Sequence, residues 1–325
     1  MDISEKLRIR LQELSLESKG TTNYNLQSSI ISEKYRNNHG GQGGILSSKA
    51  EILTYAQVRM PATFACIKKV VSELDLSGCT SLLDVGSGTG AGILSICDKC
   101  DISEICAIES QANMIEINKA VVGEVIDKNV NYINKDILTA KIDKKYDIVL
   151  AGFVFNELSA DRQLKLIEKL WEVADKYLII VDPGKPENYK QMMQLKKHML
   201  DNGVQVFAPC SNKENCPLCD NGDWCHFIAR VRRSSIHRTA KQGTSGYEDE
   251  KYTYLVFSKG ASDDDEYARI IRRPVVGKGK IIHTLCTKNG VEKQTFTKSQ
   301  KEVYKQAKDL EVGQSFNYKN VTKNI

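Results

Sequence analysis

The sequence predicts an α/β protein built on a parallel β-sheet. Between residues 81 and 182, five short apolar runs alternate with stretches of helical spacing, a pattern typical of strands joined by crossover helices. The first run leads directly into a glycine-rich turn, where a helix can begin. A cysteine-rich stretch and a basic C-terminal segment lie outside this pattern, so we expect them to be additions to the sheet.

The N-terminal 75 residues predict helices. Apolar residues recur at spacings of three and four in ISEKLRIRLQEL and in KAEILTYAQVRMPATFACIKKVVSEL, where Pro61 predicts a helix start or a kink. Between them, the glycine-rich NNHGGQGG at 37–44 follows no strand, which predicts a hinge or a substrate-side loop. Because no apolar leader and no membrane-length apolar run occurs, we expect a cytoplasmic protein with no membrane partner.

Five apolar runs predict the strands of the sheet. They read SLLDV, EICAI, VNYIN, YDIVLAG and KYLIIVD, and the segments between them are long enough for helices. Such nearly continuous apolar runs are typical of parallel strands that helices cover on both faces. Two further runs, VQVFA at 204–208 and KYTYLVF at 251–257, are candidates to close the sheet, and the cysteine-rich stretch lies between them as an insertion.

A glycine turn in LLDVGSGTGAG, residues 82–92, predicts a ligand site. Gly86, Gly88 and Gly90 allow positive φ angles and a close approach of a ligand to the backbone, and the helix that follows has free N–H groups. The turn alone does not identify the ligand, since it also matches the glycine pattern of dinucleotide sites.

Acidic residues at or near three successive strand ends favour one ligand. Asp84 lies two residues before the first glycine, Glu109 ends the second strand, and Asp136 follows the third. The series resembles class I S-adenosylmethionine-dependent methyltransferases, which have a Rossmann-like sheet. The resemblance implies that Asp84 faces the cationic methionine part, Glu109 the ribose hydroxyls, and Asp136 the adenine. Glu109 alone would also suit NAD.

The segment after the fourth strand, AGFVFNELS, is where many such enzymes keep catalytic residues. It has no stretch like Asn-Pro-Pro-Tyr to hold an exocyclic amine. Asn156 and Glu157 are available polar groups, although a helix start explains them equally well. The catalytic residues are therefore left open.

Four cysteines fall within APCSNKENCPLCDNGDWCHF, residues 208–227. In a reducing compartment, the spacing of Cys210, Cys216, Cys219 and Cys225 predicts metal binding rather than disulfides, and it leaves zinc and an iron–sulfur cluster open. The stretch APCS also resembles the motif of the catalytic cysteine in RNA cytosine-5 methyltransferases. That motif follows the fourth strand, whereas APCS follows the sixth, which disfavours a nucleophile.

Several motifs together resemble one family. They are PCxxxxxCP, DWCHF, RVRRSSIHR, GYEDEKYTYLV, RIIRRP and HTLC. They resemble the methyltransferase-like family of the mitochondrial small ribosomal subunit, in its prokaryotic branch, over residues 45–310. The resemblance implies a methyltransferase fold, a role in small-subunit assembly and a [4Fe–4S] cluster. It implies ligands at Cys210, Cys216, Cys225 and Cys286, with Cys219 as the alternative fourth ligand and zinc as the alternative metal.

Charge is unevenly distributed along the chain. The net charge is +5, yet residues 267–325 hold 13 Lys or Arg against 4 Asp or Glu. A second basic run follows the cysteines. Its cations and those of the tail that we expect to contact phosphate are Arg230, Arg232, Arg233, Arg238, Lys241, Arg269, Arg272, Arg273, Lys278 and Lys280. The charge predicts a polyanion as the partner, and the resemblance implies that this polyanion is small-subunit rRNA rather than DNA. A salt-bridged surface, with the acids of GYEDE as partners, is the alternative.

The sequence thus predicts a division into three parts. These are an N-terminal helical region at 1–75, a methyltransferase-like domain at 76–260 with the cysteine-rich and basic insertion at 208–249, and a basic C-terminal unit at 261–325. Two functions remain open. The protein is either an rRNA methyltransferase or an assembly factor that keeps the cofactor pocket and the cluster for structure or sensing.

Overall fold

Two units make up the structure, a computed structural model that describes residues 1–18, 23–37, 46, 48–211, 214, 216–219, 222–241, 244–260 and 267–317. Unit 1 consists of Met1–Asp182 and Ala229–Glu250, and unit 2 of Pro183–Ile228 and Lys251–Ile325. The predicted three-part division stays a prediction. The predicted hinge at 37–44 lies, apart from Asn37, outside the described residues.

Four helices form the N-terminal part of unit 1. They are α1 (Ile3–Glu17), α2 (Tyr24–Asn37), α3 (Lys49–Val58) and α4 (Met60–Val71). The Asp2 side chain caps α1 by accepting from Glu5 N, and the helix buries Leu7, Leu11 and Leu14. This spacing of four and three residues places the leucines on one face of the helix. The helices predicted for this region are confirmed.

The junction between α3 and α4 follows from two local signals. Ser48 and Glu51 form a capping box that starts α3, since each satisfies a free backbone N–H group of the first turn. Pro61 is the second residue of α4, a position at which the missing N–H group of proline costs no helical hydrogen bond. Pro61 therefore marks a helix start, as predicted.

Five parallel strands form the sheet of unit 1. They are β1 (Ser81–Val85), β2 (Glu104–Glu109), β3 (Val130–Asn134), β4 (Tyr146–Gly152) and β5 (Ala174–Pro183), in the order β3-β2-β1-β4-β5. Their crossover helices are α5 (Ala91–Cys97), α6 (Ala112–Val125) and α7 (Ala160–Val173). Leu82, Leu83 and Val85 of β1 are fully buried, and each such side chain contributes about 2 kcal/mol through burial. The five predicted strands are confirmed.

Unit 2 begins with α8 (Pro186–Asp201) and β6 (Val206–Ala208). The chain crosses into unit 1 within β7 (Phe227–Arg232), forms α9 (Ser235–Ala240), and returns within β8 (Tyr247–Ser258). Strand β6 pairs antiparallel with β8 through Val206 and Phe257. The two late strands that the sequence predicts therefore pair with each other.

A second sheet lies in the C-terminal part of unit 2. It contains β9 (Tyr267–Ile270), β10 (Val275–Gly277), β11 (Lys280–Thr287), β12 (Gly290–Thr297) and β13 (Ser315–Asn317). Its order is β10-β11-β9-β13, with β12 paired to β11. Helix α10 (Lys301–Asp309) packs on it through Ala307 against Phe296. In the described part of the chain, no helix has the length and apolar character needed to cross a bilayer.

Candidate functional site

The carboxyl ends of the parallel strands meet at one edge of the unit 1 sheet. Val85, the last residue of β1, pairs with Ile108 of β2 and with Ala151 of β4. The residues that follow the first two, Gly86 and Glu109, therefore lie side by side. In open α/β sheets this edge forms the crevice in which ligands bind.

The predicted glycine turn lies between β1 and α5. At Gly90, φ is +95° and an added Cβ would come within 2.5 Å of Val122 Cγ2, so the position admits no side chain. At Gly88, φ is +48° and the nearest atom to an added Cβ is 3.9 Å away. Packing therefore fixes the turn at Gly90, and the turn leaves open space for a ligand at Gly88.

Glu109 holds the glycine turn in place. Its Oε2 accepts a hydrogen bond from Gly88 N at 2.9 Å, and its Oε1 accepts one from Gln111 N at 2.9 Å. On the other side of the turn, Asn118 Nδ2 donates to Gly88 O at 3.1 Å. A carboxylate has about four acceptor sites, so Glu109 keeps acceptor capacity for the hydroxyl groups of a ligand.

Asp84 is a carboxyl buried at the end of β1, with only 2% of its surface exposed. Its Oδ2 has no hydrogen-bond partner within the described ranges. Burial raises the pKa of Asp84 to about 8. A backbone hydrogen bond from Ile93 lowers this pKa, whereas the Glu109 carboxylate raises it further. A buried acid with an unpartnered oxygen favours either a bound proton or a cation beside it.

Asp136, the third predicted acid, is exposed and already engaged. Leu138 N donates to its Oδ1 at 2.8 Å, and Arg162 Nη2 pairs with its Oδ2 at 2.7 Å. These contacts give Asp136 a structural role in the turn after β3. Its predicted place near adenine stays a prediction.

The loop after β4 directs Asn156 towards a buried acid that the sequence analysis missed. The Asn156 amide, oriented so that its nitrogen donates, bonds to Phe153 O at 3.1 Å and to Asp182 Oδ1 at 3.0 Å. Burial raises the pKa of Asp182 well above its usual value. The signal was present in the sequence, because Asp182 closes the fifth apolar run. Asn156 is thus engaged within the fold, but through Asp182 and not by capping a helix start.

Glu157 follows Asn156 and has a different environment. Its side chain is exposed to solvent, yet desolvation by the surrounding protein, aided by the Glu109 carboxylate, raises its pKa to about 7. A raised pKa at the carboxyl end of the sheet makes Glu157 a candidate functional group.

The cavity at the glycine turn is small and partly open, with a volume of about 30 Å³. Tyr55, Thr63 and Ile67 of the N-terminal helices line it, and Val154 Cγ2 lies 2.6 Å from where a Cβ on Gly86 would be. Pockets that hold small-molecule ligands usually measure roughly 300–1,000 Å³. A nucleoside ligand would therefore extend into the open cleft or displace these side chains.

Four of the five candidate cysteines gather in unit 2. Cys216, Cys225 and Cys286 pack against one small apolar core that includes Tyr189. Burial is the largest cause that raises the pKa of Cys225, and the thiols of Cys210, Cys286 and Cys216 raise it further. Such mutual influence requires short separations. The structure thus brings Cys286 of β11 to the cysteines of the insertion.

Cys219 has a different place from the other four. It is exposed, and its thiol donates to Tyr189 Oη at 3.5 Å. Tyr189 Oη in turn donates to Cys216 Sγ at 3.0 Å. Cys219 is not among the largest causes of the pKa shift of Cys225. The geometry therefore groups Cys286, rather than Cys219, with the remaining three, while the ligand assignment itself stays a prediction.

Strand β9 fixes the turn that carries Cys210. Tyr267 Oη donates to Cys210 O at 3.2 Å, and Arg269 Nε donates to Pro209 O at 2.6 Å. Arg269 is also the register partner of Cys286 across β9 and β11. The same strand therefore holds both the insertion and the strand of the C-terminal cysteine.

Two buried cations lie beside the thiols. Lys196 of α8 is 2% exposed and Arg269 is 3% exposed. Burial raises the pKa of Cys210 to about 11, while the charges of Lys196 and Arg269 act in the opposite direction. Lys196 follows Tyr189 by seven residues, so one face of α8 presents both side chains. The local sequence pattern alone did not reveal this role of Lys196.

The thiols of this group suit a metal by their chemistry, but not by their arrangement in the structure. Within the described ranges, no three Cys, His, Asp or Glu side chains have the arrangement of metal ligands. The predicted metal centre is therefore not shown. The donor set does suit a soft metal or an iron–sulfur cluster, because thiolates are the usual ligands of both and buried cations can compensate thiolate charge.

The basic run of unit 1 is largely engaged in ion pairs. Arg233 Nη2 and Lys241 Nζ lie 2.8 Å and 2.9 Å from Glu248 Oε2. Arg230 Nε lies 2.8 Å from Asp249 Oδ1. For these three cations the salt-bridged alternative holds, with the acids of GYEDE as partners.

Two arginines of unit 2 are engaged as well. Arg269 donates to the carbonyl oxygens of Pro209 and Gly313, and Arg272 Nη2 lies 2.6 Å from Asp223 Oδ2. Both therefore have structural roles instead of the predicted phosphate contacts.

The strand order of the parallel sheet, together with a glycine turn and acids at the ends of β1 and β2, defines a methyltransferase-like protein of class I. The chain belongs to the family described as mitochondrial small ribosomal subunit Rsm22, whose sequence model matches residues 49–317. The resemblance drawn from the motifs is confirmed.

Individual relatives are methyltransferases of low identity. A phosphoethanolamine N-methyltransferase of Plasmodium falciparum (isolate 3D7) is 23% identical over 218 residues, which cover 63% of this chain and 77% of the relative. A SAM-dependent methyltransferase structure from Aquifex aeolicus is 20% identical with a TM-score of 0.42, and the match covers 66% of this chain and 99% of that one. A magnesium protoporphyrin IX methyltransferase from Synechocystis PCC 6803 with bound SAM is 15% identical with a TM-score of 0.40, with coverages of 72% and 97%.

Proposed function

We propose that this protein binds S-adenosylmethionine at its glycine turn and acts on the small ribosomal subunit or its rRNA. The observation that carries the proposal is Asp84, a buried carboxyl with an unpartnered oxygen beside a turn that leaves space at Gly88. S-adenosylmethionine is cationic at its sulfonium and amino groups, so it suits an acid of this kind. Glu109 retains acceptor capacity for the ribose hydroxyls.

Calorimetric titration tests the cofactor proposal. We expect the wild type to bind S-adenosylmethionine and Gly88→Arg to lose binding, because the new side chain would fill the space that the ligand needs. Gly123→Arg is the matched control, since Gly123 lies exposed in α6 with nothing within 4 Å of an added Cβ. Tight binding of NADH without binding of S-adenosylmethionine would overturn the proposal.

In the enzyme version, the protein transfers a methyl group to rRNA. S-adenosylmethionine supplies an electrophilic methyl group on its sulfonium. The chain supplies Glu157, whose carboxyl has a pKa of about 7. Near neutral pH this carboxyl can accept a hydrogen bond or a proton from the rRNA group that receives the methyl.

A second candidate is a non-catalytic assembly factor whose cofactor pocket is structural or sensory. The observation that favours it is the engagement of Asn156 with Asp182, which leaves the loop after β4 without a free amide to hold a base. A tritiated methyl donor incubated with immature small subunits separates the two, because label in rRNA appears only in the enzyme version.

We also propose that Cys210, Cys216, Cys225 and Cys286 hold a [4Fe–4S] cluster. The resemblance implies this ligand set, and the grouping of the four thiols beside Lys196 and Arg269 supports it. Protein purified without oxygen should be brown and carry about four irons. Cys210→Ser and Cys286→Ser should bleach it, whereas the matched control Cys219→Ser should not. Colourless protein with one zinc would contradict the cluster.

The remaining parts of the proposal concern the partner and the compartment. Membership of a ribosomal-subunit family supports the small subunit and its rRNA as partners, with neither DNA nor a membrane. We propose a cytoplasmic location. Co-sedimentation with free small subunits from a cytoplasmic extract tests both, and an absence from those fractions at low salt would contradict them.

A further inference from the structure

The β10–β11 hairpin of unit 2 exposes two apolar residues at its outer strand. Val275 and Val276 are 63% and 74% exposed. They belong to the three-residue β10, which pairs only with β11 in the described sheet. The register joins Gly277 to Lys280, so the hairpin turns through two residues. Consecutive residues of a strand point to opposite faces, so the two exposed valines leave apolar surface on both sides of the hairpin, available to a partner.

The sequence segment that contains this hairpin carries charge of one sign. Residues 267–291 contain no Asp or Glu. Lys278 in the turn and Lys280 at the start of β11 are both exposed, and neither makes a salt bridge to any acid in the described part of the chain. Arg269 and Arg272 are engaged within unit 2. The two hairpin lysines are thus the cations of this segment that are best placed to meet an external anion.

We propose that this hairpin is an RNA-binding finger, in which Lys278 and Lys280 contact phosphates while Val275 and Val276 lie against sugar or base faces. The inference rests on the proposed action on the small subunit and names the surface that makes the contact. An RNA strand fits because it offers a regular row of negative charge next to apolar ring faces. A protein strand added to β10 would gain the backbone pairing of only three residues.

Salt-dependent binding of a small-subunit rRNA fragment to the full chain tests the finger. The double variant K278E/K280E should bind roughly tenfold more weakly, with a slope of log affinity against log salt smaller by about 1.4 to 1.8, because two phosphate contacts are lost. The matched control is K305E/K308E, which makes the same charge change at two exposed positions of α10 in the same unit.

Substitution of the two valines should change rRNA binding in a different way from substitution of the lysines. V275T/V276T keeps β-branched side chains in the strand and removes apolar contact surface. We expect it to weaken rRNA binding severalfold with an unchanged salt slope, because no charge is altered. Circular dichroism of each variant should match the wild type, since all four side chains are exposed.

Three outcomes contradict parts of the inference in distinguishable ways. Wild-type affinity and slope in K278E/K280E would overturn the finger and leave rRNA binding intact. Equal losses in the α10 control would also overturn it, because binding would then follow net charge alone. Absence of rRNA binding by the wild-type protein would contradict the proposed rRNA partner itself.

Discussion

Cys286 and Arg269 face each other across the antiparallel strands β11 and β9, and the Arg269 guanidinium donates to Pro209 O, the carbonyl that precedes Cys210. A single buried side chain therefore links the strand of one candidate ligand to the turn of another. The C-terminal sheet therefore helps to hold the cysteine group together.

We expect Arg269→Ala to destabilise unit 2. The change leaves the carbonyl oxygens of Pro209 and Gly313 without their donors, and each unsatisfied buried group costs about 1–3 kcal/mol. Chemical denaturation measures the loss, with Lys308→Ala on the exposed face of α10 as the control. If both variants unfold at the wild-type midpoint, Arg269 does not hold the turn.

Asp84 should make stability depend on pH. Its pKa is about 8 in the folded protein and about 4 in an unfolded chain, so the folded state binds the proton more tightly. Stability should therefore fall as pH rises from about 4 to 8, by about 1.4 kcal/mol for each unit of pKa difference. Asp84→Asn should reduce this fall, but not abolish it, because the pKa of Asp182 is raised too.

Denaturation curves at pH 5 and pH 8.5 measure the effect. The variant should gain stability relative to the wild type only at the higher pH. An equal difference at both values would show that Asp84 does not titrate in this range. S-adenosylmethionine should bind more tightly as pH rises, since ionised Asp84 attracts its positive charge.

Glu248 should show the opposite pH dependence. Burial opposes ionisation of Glu248, but hydrogen bonds from His237, Arg233 and Lys241 outweigh it and hold its pKa well below the usual value. The stabilisation is then present above about pH 4.5 and is lost as pH falls below it. Glu248→Gln should cost about 2 kcal/mol at pH 7 and less at pH 3, where the stabilisation is only partly lost because the lowered pKa keeps the folded carboxyl largely ionised.

Asp249→Asn is the matched control, because its partner Arg230 has a side chain that is 62% exposed. Exposed pairs are worth at most about 1 kcal/mol. Comparable losses in the two variants at pH 7 would contradict a special role for Glu248. Thermal unfolding at both pH values is sufficient to decide.

Lys196 should raise the midpoint potential of the proposed cluster. A thiolate-ligated cluster is anionic, so removing a buried cation beside it disfavours the more negative, reduced state. Lys196→Met should lower the midpoint potential in anaerobic spectroelectrochemistry, and Lys196→Arg should retain it. Lys197→Met is the control, since Lys197 is exposed and pairs with Asp201. The same potential in Lys196→Met and Lys197→Met would contradict the tuning role.

The sequence predicted those features that depend on local patterns. The strands VNYIN and YDIVLAG form with the predicted bounds, because apolar runs of that length have few alternatives. Asp84 and Glu109 lie at the glycine turn, because parallel strands bring their carboxyl ends to one edge.

Other features depend on partners distant in sequence. The engagement of Arg233 by Glu248 and of Asn156 by Asp182 changes what those side chains are free to bind. Lys196 is buried in a helix whose sequence reads as an ordinary amphipathic pattern. Tertiary packing determines these side-chain partners, and the spacing of residues in the sequence does not reveal them.

The crossing of the chain between the units, within β7 and β8, constrains how the protein can be made. Unit 1 needs residues 229–250 to be complete, and unit 2 needs residues after 250. Ribosomes release a chain from its N-terminus, and domains that are continuous in sequence can fold as they emerge. Here the five strands of the parallel sheet emerge first, and unit 1 is complete only when residues 229–250 have followed them.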